Sequence, residues 1–184
     1  MTATTPIETA LRTAIRDIPD FPKPGIVFKD ITPILSNGEL FAQTVDALAE
    51  QLNKIDVDLI VGIESRGFLF GAALAYKLGL GFVPIRKKGK LPAKTVSREY
   101  ALEYGTDVIE MHADAITTGH NVVVIDDLLA TGGTAKATIE LLQEAGATVA
   151  AVQFVVDLAF LGGVPVLKSV LPANTPIHAL VTYA

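Results

Sequence analysis

Residues 122–134, VVVIDDLLATGGT, place an acidic pair beside a run of small residues. Asp126 and Asp127 are carboxylates, so they accept hydrogen bonds from hydroxyl groups or face a cation. They repel a phosphate. Ala130, Thr131, Gly132, Gly133 and Thr134 have the opposite preference. Glycines lack Cβ, so backbone N–H groups approach a ligand closely, and the two threonines add hydroxyl donors. The segment AKATIELLQEAG follows, with helical spacing and a terminal glycine. The small residues thus stand at a helix N-terminus, where free N–H groups and the helix dipole favour an anion. An anion cradle next to a hydroxyl-accepting pair describes a pocket for a ribose 5-phosphate. Taken separately, an acidic pair is often a solvated turn and TGGT a flexible loop; their fixed order is the more specific signal.

Further charged groups fall at comparable positions. Glu64-Ser65-Arg66-Gly67 lies between a buried strand, DLIVG, and an apolar helix over residues 67–79. Arg66 there carries a planar fork suited to phosphate, or it forms a surface salt bridge. Strand GFVPIR releases a basic cluster, Arg86, Lys87, Lys88 and Lys90, on the side where open parallel sheets bind ligands. Upstream, DIPDFPKPGIVFKDITPIL combines rigid prolines with apolar Phe21, Ile26, Val27 and Phe28. Such a segment covers a flat ligand or forms a packed connection. No GxxxxGK[ST] motif occurs, and Gly79-Leu80-Gly81 lacks the third glycine of a dinucleotide fingerprint.

The elements that must position these groups follow from periodicity. Val122, Val123, Val124 and Ile125 form a β-branched run typical of a strand buried on both faces. The strand is expected to emerge from the sheet at Asp126. Ile7, Leu11, Ile15 and Ile18 have helical spacing over residues 7–18. A second helix covers 39–53. Residues 91–107 alternate weakly and read as a mobile hairpin or lid, returning as a strand over 108–112. Strands at 148–158 and near the C-terminus, with an irregular helix over 162–171 between them, complete an α/β pattern with a mainly parallel sheet.

The chain of 184 residues is most simply one domain with a substantial core. Half of it is hydrophobic, which excludes a disordered chain. A formal charge of −5 argues against general nucleic-acid binding. The absence of cysteine removes disulfides, thiolate catalysis and cysteine-bound zinc. No apolar signal core or membrane-spanning run is present, so no membrane partner is expected and a cytoplasmic location is the default.

PDFPKPGIVFKDITPIL, GIESRGFLFGAALA, IRKKGKLP, LEYGTD and VVVIDDLLATGGT occur in this order over residues 19–160. The last resembles the signature for phosphoribosyl diphosphate (PRPP) of type I phosphoribosyltransferases. The set together resembles adenine phosphoribosyltransferases. The resemblance implies a single domain over residues 1–184, of type I phosphoribosyltransferase-like fold: a mainly parallel sheet flanked by helices, a small N-terminal hood over about 1–35, and a flexible lid over about 87–107. It implies a homodimeric purine salvage enzyme that makes AMP and pyrophosphate from adenine and PRPP. Mg²⁺ is implied as cofactor, held mainly by PRPP or pyrophosphate and water rather than by protein ligands.

Matched by position, the resemblance puts the 5-phosphate on residues 130–134 and the ribose hydroxyls on Asp126 and Asp127. Arg66, Arg86, Lys87 and Lys90 take pyrophosphate, and the Glu64–Ser65 peptide is expected to be cis. Val27 and Lys29 read the adenine edge through backbone groups while Phe28 stacks on the ring; Leu158 packs on its other side. Lys29 stands where arginine is common, which is harmless only for a backbone contact. Glu103 matches a loop glutamate and is expected to assist at adenine N7 as N9 attacks C1 of the ribose; otherwise it is a solvated carboxylate. Another nucleobase enzyme (hypoxanthine/guanine, xanthine or orotate) and a non-catalytic PRPP-binding regulator are the alternatives.

Overall fold

The computed structural model describes residues 5–101 and 105–184. Helix α1, Pro6–Ala14, starts at Thr5, whose hydroxyl accepts the Glu8 N–H, with proline in the first turn. The helix expected over residues 7–18 ends here. Ile15 turns extended, and β1, Arg16–Pro19, pairs antiparallel with β2, Val27–Asp30. The cause is long-range. Arg16 bonds Asp30 at 2.6 Å and Lys29 bonds Asp17 at 2.5 Å across the two strands. These pairs and the ladder override the apolar spacing of Ile15 and Ile18.

Helices α2, Thr32–Ser36, and α3, Gly38–Glu50, lead into the main sheet. Its elements alternate: β3 (Leu59–Ile63), α4 (Gly67–Leu78), β4 (Gly81–Lys87), then the hairpin β5 (Thr95–Ala101) and β6 (Thr106–His112). There follow β7 (Asn121–Leu129), α5 (Gly133–Glu144), β8 (Thr148–Leu158), α6 (Gly163–Lys168) and β9 (Ile177–Tyr183). The strand order is β5-β6-β4-β3-β7-β8-β9, with β4, β3, β7, β8 and β9 mutually parallel. The hairpin adds the antiparallel edge through β6.

The β7 run has both faces buried because its side chains alternate between two cores. Val123 and Ile125 pack with Leu11, Leu48 and Phe70; Val122 and Val124 pack with Ile139, Leu142 and Leu167. Pairing of β7 with β3 ends at Ile125, but pairing with β8 continues to Leu129. The strand therefore does not emerge at Asp126. The acidic pair lies inside it, where only one neighbour has stopped. On the side released by β3, the turn carrying Arg66 and Gly67 packs against Asp126 and Asp127 instead.

Candidate functional site

The small-residue loop bridges β7 and α5. Gly132 has φ +84° and caps α5, a conformation that L side chains rarely adopt. A Cβ on it would lie 3.0 Å from the Gly163 carbonyl oxygen. A Cβ on Gly163 would lie 2.4 Å from the Ala130 carbonyl oxygen. Loop and α6 thus meet backbone to backbone. The loop encloses a concavity of about 100 Å³ lined by Asp126 and residues 128–135. That volume corresponds to a few water molecules at about 30 Å³ each, room for a phosphate-sized group at the free N–H groups of the first helical turn. Thr134 Oγ1 donates to the Tyr100 hydroxyl at 3.3 Å, and that hydroxyl donates to Asp107 at 3.3 Å. Burial raises the Tyr100 pKa, so the phenol stays protonated at neutral pH.

The two aspartates have different surroundings, as successive strand residues do. Asp126 borders the loop concavity, and its Oδ1 accepts the Asp127 N–H at 2.9 Å. Burial, and then the neighbouring Asp127 carboxylate, push its pKa well above the ordinary carboxylate range. A carboxyl group in this position can accept hydrogen bonds from sugar hydroxyls. Gly67 permits the close packing here: its Cβ would meet Asp126 Oδ1 at 2.8 Å and the Ile125 carbonyl oxygen at 2.9 Å. Asp127 is buried and accepts from Arg66 Nε at 2.6 Å. Arg66 precedes α4 and its guanidinium lies 5.3 Å from the centre of the Phe28 ring. Three of the expected site residues, Asp127, Arg66 and Phe28, are therefore in one contact chain.

The Glu64–Ser65 peptide is cis, in agreement with expectation. Glu64, not singled out in the sequence as a partner, gathers the basic cluster. Its Oε2 accepts from Arg86 Nε and the Lys87 N–H, each at 2.9 Å, and its Oε1 from Lys90 Nζ at 2.5 Å. Burial alone would raise its pKa, but the hydrogen bonds from Lys90, Lys87 and Arg86 outweigh it and hold the carboxyl at about 2. Lys87 Nζ reaches Asp107 at 3.1 Å, which raises the Lys87 pKa. Arg86, Lys87 and Lys90 are thus brought together, but by carboxylates rather than into one open patch.

A folded pKa below the ordinary 4.5 means that Glu64 stabilises the fold fully above pH 4.5 and loses that contribution as pH falls towards 2. Urea denaturation of the wild type and of Glu64→Gln should therefore give stabilities that differ near pH 6 and converge as pH falls below 4.5. A difference independent of pH would remove Glu64 from this role.

Glu110 is a second organiser that the sequence did not reveal. It is 5% exposed, and its Oε1 accepts the N–H groups of Gly89 (2.9 Å), Lys90 (3.2 Å) and Leu91 (3.4 Å). It shapes the loop that carries Lys90. The signal available was a lone glutamate within the apolar strand VIEMH.

On β2, Val27 is 50% exposed, and Phe28 makes an edge contact with Phe21 at 5.2 Å between ring centres. The Lys29 side chain runs elsewhere: it bonds Asp17 and lies 4.1 Å from the centre of the Tyr183 ring. Only its backbone remains for a ligand on the Phe28 side. Leu158 ends β8 at the same end of the sheet and is mostly buried. Glu103 lies outside the described residues. Among the described residues no group of three or more histidine, aspartate or glutamate side chains is placed to hold a metal. No helix among them is long and apolar enough to cross a membrane.

Comparison with known proteins agrees with this fold. Residues 33–159 match the family described as "Phosphoribosyl transferase domain". The chain is 56% identical over 158 residues to the adenine phosphoribosyltransferase of Alkaliphilus metalliredigens, covering 86% of this chain and 93% of that protein. It is 53% identical over 175 residues to that of Methylobacterium nodulans, covering 95% of each. The crystal structure of adenine phosphoribosyltransferase from Thermoanaerobacter pseudethanolicus superposes with a TM-score of 0.90 at 49% identity, covering 95% of this chain and 99% of that one.

Proposed function

The chain belongs to the adenine phosphoribosyltransferase family, and we propose that it makes AMP and pyrophosphate from adenine and PRPP at the site beside β7. The observation that carries the assignment is the contact chain Asp127–Arg66–Phe28 beside the residue 130–134 loop. It gathers a hydroxyl acceptor, a phosphate-binding cation and an aromatic platform at one place. A structure of the Saccharomyces cerevisiae adenine phosphoribosyltransferase complexed with adenine, to which this chain is 43% identical, supports the choice of base.

The residues divide the work as follows from their chemistry. The loop N–H groups and the Thr131 and Thr134 hydroxyls hold the 5-phosphate. Asp126 and Asp127 accept from the ribose hydroxyls. Phe28 stacks on the base, with Leu158 opposite, and backbone groups of Val27 and Lys29 meet its edge. Arg66, Arg86, Lys87 and Lys90 stabilise the charge that builds on the departing pyrophosphate. The C1–O bond to pyrophosphate breaks as the N9–C1 bond forms, so the chain needs no nucleophile of its own. Glu103 serves adenine N7 at that moment.

The donor set fits Mg²⁺ that arrives on the substrate. Mg²⁺ keeps several waters and binds one or two carboxylates plus phosphate oxygens, and the site offers an aspartate pair rather than a cage of side chains. When bound, it neutralises charge on the pyrophosphate oxygens. A homodimer in the cytoplasm completes the assignment. Leu69 and Tyr76, seven residues apart on one face of α4, leave apolar surface exposed that a second copy can cover.

Competition among radiolabelled adenine, hypoxanthine, guanine and orotate for PRPP-dependent nucleotide formation tests the assignment. Adenine should be converted in strong preference to the rest. Preferential conversion of an oxopurine or of orotate would overturn it. A nucleotide-binding protein that converts none of them would be the PRPP-binding regulator.

A further inference from the structure

Arg66 lies in contact with two groups that the reaction needs for other ligands. Its Nε donates to the buried Asp127 carboxylate at 2.6 Å, and its guanidinium lies over the Phe28 ring at 5.3 Å. The ring distance is within the range of a cation–π attraction. Asp127 has strong reason to keep this partner, because an unpaired buried carboxylate is costly. The side chain of Arg66 itself is 40% exposed, so it has room to leave.

We propose that Arg66 is an internal competitor for the base platform: tethered by Asp127, it covers Phe28 in the free protein and is released when ribose hydroxyls take over Asp127. The device presupposes the adenine site assigned above. The exchange is balanced at each group. A ribose hydroxyl replaces Arg66 at Asp127, adenine replaces Arg66 at Phe28, and the freed guanidinium moves to the anionic pyrophosphate. Adenine alone must displace Arg66 from the ring while Asp127 still holds the tether. Its apparent affinity is then reduced by the fraction of molecules in which the platform is uncovered. Any ligand that supplies the hydroxyls removes that penalty, which is positive coupling between the ribose and base subsites. Arg66 in this role is a gate on binding, additional to its contact with the leaving group.

Calorimetric titration with adenine, with and without saturating ribose 5-phosphate, distinguishes the possibilities. In the wild type, ribose 5-phosphate should tighten adenine binding. Arg66→Gln should bind adenine without any sugar about two- to fivefold more tightly than the wild type, as expected for loss of one exposed cation–π contact. Ribose 5-phosphate should then add little. A gain in affinity is a readout that loss of structure does not produce. Should Arg66→Gln fold poorly because Asp127 is left unpaired, the double variant Arg66→Gln/Asp127→Asn restores a neutral pair and carries the same expectation.

Folded Arg66→Gln that binds adenine equally or less tightly, or that keeps the full ribose 5-phosphate effect, overturns the gate while leaving the adenine site intact. Failure of the base assignment has a separate signature: Phe28→Ala would then leave the adenine affinity of the sugar-bound wild type unchanged. In that case the gate falls with it.

Discussion

Replacing Glu103 with Leu should lower turnover with adenine by about 10²–10⁴-fold, the usual worth of general acid–base assistance. Neutral adenine attacks through N9, and the electron density it gives up is restored only if N7 gains a proton or a strong hydrogen bond. A carboxyl group that acts in the transition state alone affects kcat more than substrate affinity. Described residues before this segment are tied to the 130–134 loop and to α5. Ala101 pairs with Thr106, and Tyr100 is hydrogen-bonded to Thr134 of the phosphate loop. Arg98 is tied to Glu140 and Glu144 of α5. Tyr100 thus stands beside the 130–134 loop, while Glu103 itself lies outside the described residues. Glu103→Gln keeps the size and can donate a hydrogen bond, so its loss should be smaller than that of Glu103→Leu.

The sharper measurement is the double cycle with a substrate carrying carbon in place of N7. That substrate should be poor for the wild type, and Glu103→Leu should cost it little more, because the shared partner is already gone. Single-turnover rates with adenine that are unchanged in Glu103→Leu would make Glu103 a solvated carboxylate. Fully additive losses would make it a residue that shapes its surroundings without touching N7.

Gly163→Ala should reduce AMP affinity by more than about tenfold, which is about 1.4 kcal/mol, although Gly163 is no ligand in the site assigned here. Its added Cβ would stand 2.4 Å from the Ala130 carbonyl oxygen and 2.7 Å from Leu129 Cγ. The leucine can rotate, but the carbonyl is backbone, so the loop of residues 130–134, proposed to cradle the 5-phosphate, must move. Overpacking of this kind costs about 1–3 kcal/mol of stability, and Tm falls by roughly 2–4 °C for each of those in a chain of this size. Gly38→Ala is the matching control, since its Cβ would meet nothing within 4 Å. Calorimetry with AMP, alongside thermal denaturation, reads both effects. A folded Gly163→Ala protein with wild-type AMP affinity would show that the loop does not depend on its contact with α6.

Legibility from sequence followed the range of the interaction. Val122, Val123, Val124 and Ile125 announced a doubly buried strand because burial on two faces is a property of side-chain type and alternation. Gly79 announced the end of α4 because only a residue without Cβ takes φ +69° cheaply. The loop of residues 130–134 was legible for the same reason: its composition reports what its own backbone must do. Local pattern offered Arg66 as a phosphate fork and Phe28 as part of a cover for a flat ligand; the family resemblance then implied pyrophosphate for Arg66, adenine for Phe28 and the N7 role for Glu103.

Where a partner came from another element, local patterns were silent or misleading. Ile15 and Ile18 have helical spacing, yet the chain turns to β1 because β2 offers a ladder and two ion pairs. Asp126 and Asp127 are still within a strand because β8 continues after β3 has stopped. Lys29 goes to Asp17 and Tyr183, Glu64 collects Arg86 and Lys90, and Glu110 collects three N–H groups. The chain by itself determined which groups were available, where each backbone could bend, and which faces had to be buried. Tertiary structure alone decided which charge met which, because a side chain's partner is set by distances through space, and the sheet's strand order brings together residues that lie far apart along the chain.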